Sequence, residues 1–310
     1  ECKRDGIDEN RNTFQENEAT LQDGFYNPPD NAKVKTYWWW LHGSVDKVRI
    51  KEELEAFREA GISAVDIFDI GTPGHSDTRD IVDAGPAFMN DEYLENIGYA
   101  VQVADELGMK VGLNLSSSWN AGGEWIPPKH ASKSLYYSKV TVSGSKNIEN
   151  IEIPFPFLRE EDKKGRVIDI EYDESGRPEY YREVAVVAVP VHEANDYPDT
   201  SQIKNVSDYL DPENNVLQWN PPEGEWEIYR YIVANSGRQV VLPSENSGGP
   251  ILDHYDPDAM EYHINYFIER LSTVIDDIEE SALTYLYLAS YEARGFSWTA
   301  ILPETFKEMH

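Results

Sequence analysis

The sequence predicts an α/β fold: the N-terminal half of a (β/α)8 barrel of the TIM type, carrying an inserted antiparallel β domain. Three observations predict it. First, four short apolar runs each end in polar side chains: 36–41 in His42, 64–68 in Asp69, 111–113 in Asn114, and 283–288 in Ser290-Tyr291-Glu292. A polar tip on a buried strand is placed to meet a ligand, and in a parallel barrel ligands meet the C-terminal strand ends. Second, the first three runs alternate with helical periodicity, and a β-α-β-α-β order requires right-handed parallel crossovers. Third, between residues 130 and 245 this alternation gives way to short strands separated by turn signals, the pattern of an antiparallel sheet.

Taken in order, residues 1–24 are polar, acidic and aperiodic, and read as a flexible leader. Asn27-Pro28-Pro29 marks the entry to folded structure. The aromatic run 36–41 is a strand. Residues 48–60 form a helix, with Ile50, Leu54 and Phe57 at spacings of four and three, and Gly61 is placed to cap it. A second strand over 62–70 leads into a loop, 71–86, with Thr72-Pro73-Gly74 as its turn. The helix 91–107 carries Leu94, Ile97, Val101 and Ala104 on one face, and 110–115 is the third strand. The inserted strands are predicted at 135–142, 148–153, 167–172, 184–191 and 226–234. A helix over 256–271, with Pro257 in its first turn, precedes the fourth barrel strand at 283–288. The domain plan is therefore a leader (1–24), three βα units (25–129), a β-rich insertion (130–245) and a resumed barrel (246–310). A complete barrel needs eight βα units, so the chain reads as the N-terminal part of a longer catalytic region.

Composition narrows the function. The 27 Lys and Arg against 57 Asp and Glu give a formal net charge of −30, which repels phosphate backbones, and no basic patch is present, so nucleic acid is excluded as a partner. Eight Trp and nineteen Tyr argue against disorder and suit sugar faces that stack on rings. The single cysteine, Cys2, excludes a disulfide framework and a cysteine metal site. Its near-terminal place suggests a lipid anchor on a periplasmic or extracellular bacterial protein. No apolar run approaches the roughly 18 residues of a membrane span. Nucleotide-binding, P-loop, His-Glu-x-x-His and nucleophile-elbow motifs are lacking, which removes support for those chemistries.

What remains is a rim of carboxylates and aromatics, a sugar-processing pattern. Glu292 is the best catalytic candidate, because glycoside hydrolysis needs two carboxylates across the scissile bond. A strand-end Glu among aromatics would be desolvated, raising its pKa as a general acid requires; an ion pair with Arg294 is the plainer role. In Tyr37-Trp38-Trp39-Trp40-Leu41-His42, alternation puts Trp38, Trp40 and His42 on one face and Trp39 on the other. Trp38, Trp40 and Trp119 are candidate walls for a sugar, against the bland reading of a buried aromatic cluster. His42, Asp69, Asn114, Ser116, Asn120, Asp253 and His254 are candidates for binding sugar hydroxyls. Asp69 has the rival role of capping the turn that follows it. Asp256 is the natural N-cap before Pro257.

Several segments resemble glycoside hydrolase family 106, the α-L-rhamnosidases of pectin-degrading gut bacteria. They are Thr36-Tyr37-Trp38-Trp39-Trp40-Leu41, Ile67-Phe68-Asp69-Ile70-Gly71, Val111-Gly112-Leu113-Asn114-Leu115-Ser116-Ser117, Trp119-Asn120-Ala121-Gly122-Gly123 and Ser290-Tyr291-Glu292. The resemblance implies a (β/α)8 barrel with β-sandwich accessory domains, an inverting mechanism, a calcium ion near the bound rhamnose, and Glu292 as one of two catalytic glutamates. Three positions depart from the family pattern: His42 stands for its Asn, while Ala289 and Ser297 each stand for an Asp. The last two remove carboxylates near the rim and favour a second reading, a non-catalytic carbohydrate-binding barrel.

Overall fold

The computed structural model describes residues 21–29, 32–71, 82–144, 150–159, 168–191, 199–291 and 298–310. Its first element, α1 (Leu21–Tyr26), is a short helix that overlaps the end of the expected leader. Six residues are too few to show periodicity, which is why the sequence read the first four of them, 21–24, as leader.

The parallel layer follows the predicted order: β1 (Val34–Leu41), α2 (Lys47–Glu59), β2 (Ile62–Ile70), α3 (Asp91–Glu106) and β3 (Lys110–Asn114). After a run of antiparallel strands come α4 (Pro257–Leu271) and β11 (Leu283–Tyr287). The four strands pair in parallel in the order β1-β2-β3-β11. The helices start where side chains satisfy their free N–H groups. Asp46 accepts from Val48 N and Arg49 N, Asn90 from Tyr93 N, and Asp256 from Asp258 N. The sheet is open, with β1 and β11 at its edges, and no closed barrel is present among the described residues.

Its two faces differ. Trp38, Trp40, Val65, Ile67, Val111 and Leu113 point to the helices and share a core with Leu54, Tyr93, Ile97 and Phe267. Each side chain so buried contributes about 2 kcal/mol. Tyr37, Trp39 and Phe68 pack together on the other, open face. The alternation along β1 was read correctly, but the assignment of Trp38 and Trp40 to the ligand is corrected. Both are core residues, and Trp38 Nε1 donates to Glu53 of α2 at 2.7 Å.

The strands between β3 and α4 pair only among themselves among the described residues. β4 (Lys133–Ser143), β10 (Glu225–Asn235), β6 (Tyr181–Pro190) and β7 (Lys204–Asn205) form one antiparallel sheet in the order β4-β10-β6-β7. β5 (Ile151–Glu152), β9 (Val216–Leu217) and β8 (Leu210–Asp211) form a second. Val186, Ala188, Trp226 and Ile228 from the first pack on Ile151 and Leu217 from the second. Among the described residues the strand expected at 167–172 is absent. Tyr172 makes a single bridge to Pro178, because Asp173 accepts from Ser175 N and Arg177 N and closes a turn there. A final helix, α5 (Leu302–Met309), was not anticipated.

The segment that follows β10, 236–252, lies across the C-terminal end of the parallel sheet. Gly71 N donates to Leu242 O at 2.9 Å, Ser118 Oγ to Val241 O, and Phe88 N to Ser247 Oγ at 2.8 Å.

Candidate functional site

Because the strands are parallel, His42, Asp69 and Asn114 end at one side of the sheet, as expected. They do not all face a ligand. Asp69 lies opposite Trp40 in the pairing of β1 with β2, on the helix face, and is fully buried. Its Oδ1 accepts from Ser117 Oγ and, at 2.7 Å, from Ser244 Oγ. The Tyr93 hydroxyl and the Gly43 amide favour its charged form, while Oδ2 and the Tyr93 hydroxyl themselves lack a partner within hydrogen-bond geometry. Desolvation outweighs these donors and raises the Asp69 pKa to about 6. Asp69 thus ties the end of β2 to the loop after β3 and to the segment after β10. It is a structural cap, not a group open to sugar.

Asn114 and Asp253 are corrected in the same way. Asn114 Nδ2 donates to Ser116 O at 3.0 Å and its Oδ1 accepts from Ala289 N at 3.2 Å, so it shapes the loop and the extension of β11. Ser116 is buried, with Oγ donating to Ser117 O at 3.3 Å. Asp253 accepts from buried Lys133 at 3.0 Å, Thr299 Oγ1 at 2.9 Å and Tyr255 N at 3.1 Å. Lys133 spends its other donors on Lys129 O and Ala131 O, and burial lowers its pKa. His42 is buried at a left-handed turn (φ 54°), its amide donating to Ile70 O at 2.9 Å. Glu292 and Ser297 lie outside the described residues.

The remaining candidates, half-buried Trp119 and His254 and buried Asn120, lie further along the rim. Trp119 meets Phe68 and Trp39 of the open face at ring distances of 5.1 and 6.4 Å, so a strip of aromatics runs from the sheet to the rim. Next to it, the extension of β11 and the turn before α4 meet the loop after β3: Ser290 N donates to Trp119 O, and Leu252 N to Ala121 O. This seam holds Asn120 and His254, and it brings Tyr255 against Tyr291. The sequence reading did not single out the exposed rings of Tyr37, Trp39, Tyr255 and Tyr291. The signal for the tyrosines was present, since they adjoin the Asp253-His254 and Ser290-Glu292 motifs.

Behind the rim, His263 of α4 fixes Trp125. His263 Nε2 donates to Leu115 O at 2.8 Å, and Nδ1 accepts from Trp125 Nε1 at 3.0 Å, which sets one neutral tautomer. Burial lowers its pKa to about 4. Among the described residues no three His, Cys, Asp or Glu side chains come together in a group that could hold a metal ion.

A parallel sheet flanked by helices, with aromatics leading to the C-terminal rim, suits the class of glycoside hydrolases. The chain belongs to the alpha-L-rhamnosidase family, glycoside hydrolase 106, whose family model matches residues 26–205 and 196–310. It is 24% identical over 322 residues to a Formosa agariphila protein described as "Putative beta-glucuronidase", a match that covers 93% of this chain and 25% of that protein. It also resembles the solved structure of a rhamnosidase from Novosphingobium sp. PP1Y, with a TM-score of 0.66 at 16% identity. That match covers 94% of this chain and 41% of the solved chain, and at this identity it speaks for the fold alone. The chain therefore spans about a quarter of its curated relative and about two fifths of the solved rhamnosidase.

Proposed function

We propose that this chain is the N-terminal part of an inverting α-L-rhamnosidase that acts on plant polysaccharide. The observation that carries the reading is the family match along nearly the whole described length. In it β1, β2, β3 and β11 are the first four staves of a (β/α)8 barrel, and residues 130–245 are an inserted domain. Glu292 acts as general acid or base, with a second carboxylate ~6.5–9.5 Å away to leave room for the attacking water. Trp39, Trp119, Asn120 and His254 border the sugar, and His42 supports the rim. A calcium ion near the sugar remains part of this reading as the family resemblance implies it, and no step is routed through it. The protein works in the periplasm or outside the cell, with Cys2 as a lipid attachment point. No helix among the described residues is long and apolar enough to cross a membrane.

A second reading, a carbohydrate-binding protein without catalysis, is favoured by Ala289 and Ser297. The relative described as a beta-glucuronidase adds a rival sugar. Turnover of aryl α-L-rhamnoside and aryl β-D-glucuronide by the full-length protein separates these readings. The expected result is rhamnoside cleavage, lowered at least about 100-fold by Glu292→Gln. Binding without turnover of either substrate selects the second reading, and glucuronide cleavage alone selects the rival sugar.

A further inference from the structure

Two shielded polar side chains on the rim seam have open valences. Asn120 is 1% exposed, and neither its Oδ1 nor its Nδ2 makes a hydrogen bond. His254 donates Nδ1–H to Leu252 O at 2.8 Å. A carbonyl can only accept, so a neutral ring leaves Nε2 as a lone-pair acceptor, and that atom too is buried without a partner. Burial lowers the pKa of this imidazole and keeps it neutral near pH 7.

Both residues are pinned to one seam. The hydrogen bond from Leu252 N to Ala121 O, 2.9 Å, and that from Ser290 N to Trp119 O, 3.2 Å, hold the residues on either side of Asn120. Asn120 therefore lies between the chain leading into His254 and the chain leading into Tyr291. Two half-exposed rings flank the seam: Tyr255 (43%) and Tyr291 (44%), 6.0 Å apart and nearly perpendicular. The His254 ring lies 4.9 Å from Tyr291. Buried polar groups in native proteins are paired almost without exception, and unpaired ones call for a partner.

The valences define that partner. The seam offers a donor and an acceptor on Asn120 and a second acceptor on His254. A net charge of −30 disfavours anions in general, and an ionised carboxylate has no proton to give to Nε2. A hydroxyl does, and neighbouring hydroxyls also supply an acceptor for Nδ2 and a donor for Oδ1. Tyrosine rings beside them suit the apolar C–H face of a sugar. We infer that Asn120 and His254 bind two adjacent hydroxyls of one pyranose ring, with Tyr255 and Tyr291 as its aromatic wall. The inference rests on the proposed function for the presence of a sugar, and it names how that sugar is read.

The test is calorimetric titration of the full-length protein with methyl α-L-rhamnoside, its 2-, 3- and 4-deoxy analogues, methyl β-D-glucuronide and methyl α-D-glucoside. Asn120→Ala, His254→Phe and Tyr255→Ala are compared with wild type, with thermal melting as the check on folding. Each substitution is expected to weaken rhamnoside binding about 10-fold or more. A deoxy analogue should lose as much against wild type, and lose nothing further against the variant that lacks its partner. If a truncation does not fold, Asn120→Asp or His254→Gln carries the same measurement. Folded variants with unchanged rhamnoside affinity overturn the inference and leave the rhamnosidase reading standing. Binding of another pyranoside in place of rhamnoside overturns that reading, and the inference then stands only if the variants lose that sugar. Failure to bind any pyranoside overturns both.

Discussion

Trp39 and Trp40 are neighbours in sequence with opposite fates. Trp40 is wholly buried against Tyr93 and Trp38, while Trp39 stays 47% exposed on the open face. Trp40→Ala is expected to cost roughly 3–5 kcal/mol of stability in denaturant unfolding, and Trp39→Ala less than about 1 kcal/mol. Two buried titrating groups should leave opposite marks on pH dependence. The Asp69 pKa rises from 3.8 to about 6 on folding, so its favourable contribution is complete below pH 3.8 and is lost as pH climbs to about 6. The His263 pKa falls from 6.5 to about 4, so its contribution is complete above pH 6.5 and is lost as pH drops to about 4. Each limb is worth about 3 kcal/mol, and they oppose each other between pH 4 and 6. Unfolding curves taken across this window should show Asp69→Asn gaining on wild type as pH rises. His263→Gln should gain on wild type as pH falls. A variant that tracks wild type at every pH removes that group from the account.

At the level of elements, the loops matter more than the strands they join. The segment 236–252 holds the rim through Asp69, Ser117 and Ser244, and the turn at Asp253 holds β4 through Lys133. The Lys133–Asp253 pair is almost fully buried on both sides. Removing one member strands a charge, whereas replacing both with apolar groups does not. Asp253→Ala should therefore cost about 3–5 kcal/mol, and Lys133→Met with Asp253→Leu much less, by the same unfolding measurement. Little of this was legible in the sequence. Strand, helix and cap positions follow from local rules: Asp256 before Pro257 is an N-cap by its own chemistry. The partner of Asp253 lies 120 residues away, and no local pattern announces such a contact.

On the scale of the molecule, the open sheet leaves Tyr37, Trp39 and Leu41 exposed along one edge strand. On the proposed reading the rest of a barrel covers this face and supplies the second carboxylate. The 310-residue chain by itself is then expected to show no turnover of an aryl α-L-rhamnoside and to self-associate in sedimentation. Turnover by the isolated chain would sink the proposed half-barrel.

The sequence by itself determined the parallel β-α layer, its order, the switch to antiparallel strands after residue 130 and the family. These rest on periodicity, turn chemistry and ordered motifs, which are local properties of the chain. Tertiary structure alone decided which polar tips are open. Asp69, Asn114 and Asp253 looked like ligand-binding side chains because a strand-end carboxylate or amide has the same local signature in either role. Their decisive partners, Ser244 for Asp69, Ala289 for Asn114 and Lys133 for Asp253, are distant in sequence, and those partners turn them into supports. The same packing left Asn120 and His254 unpaired beside Tyr255 and Tyr291, because whether a buried polar group has a partner depends on what the fold brings to it.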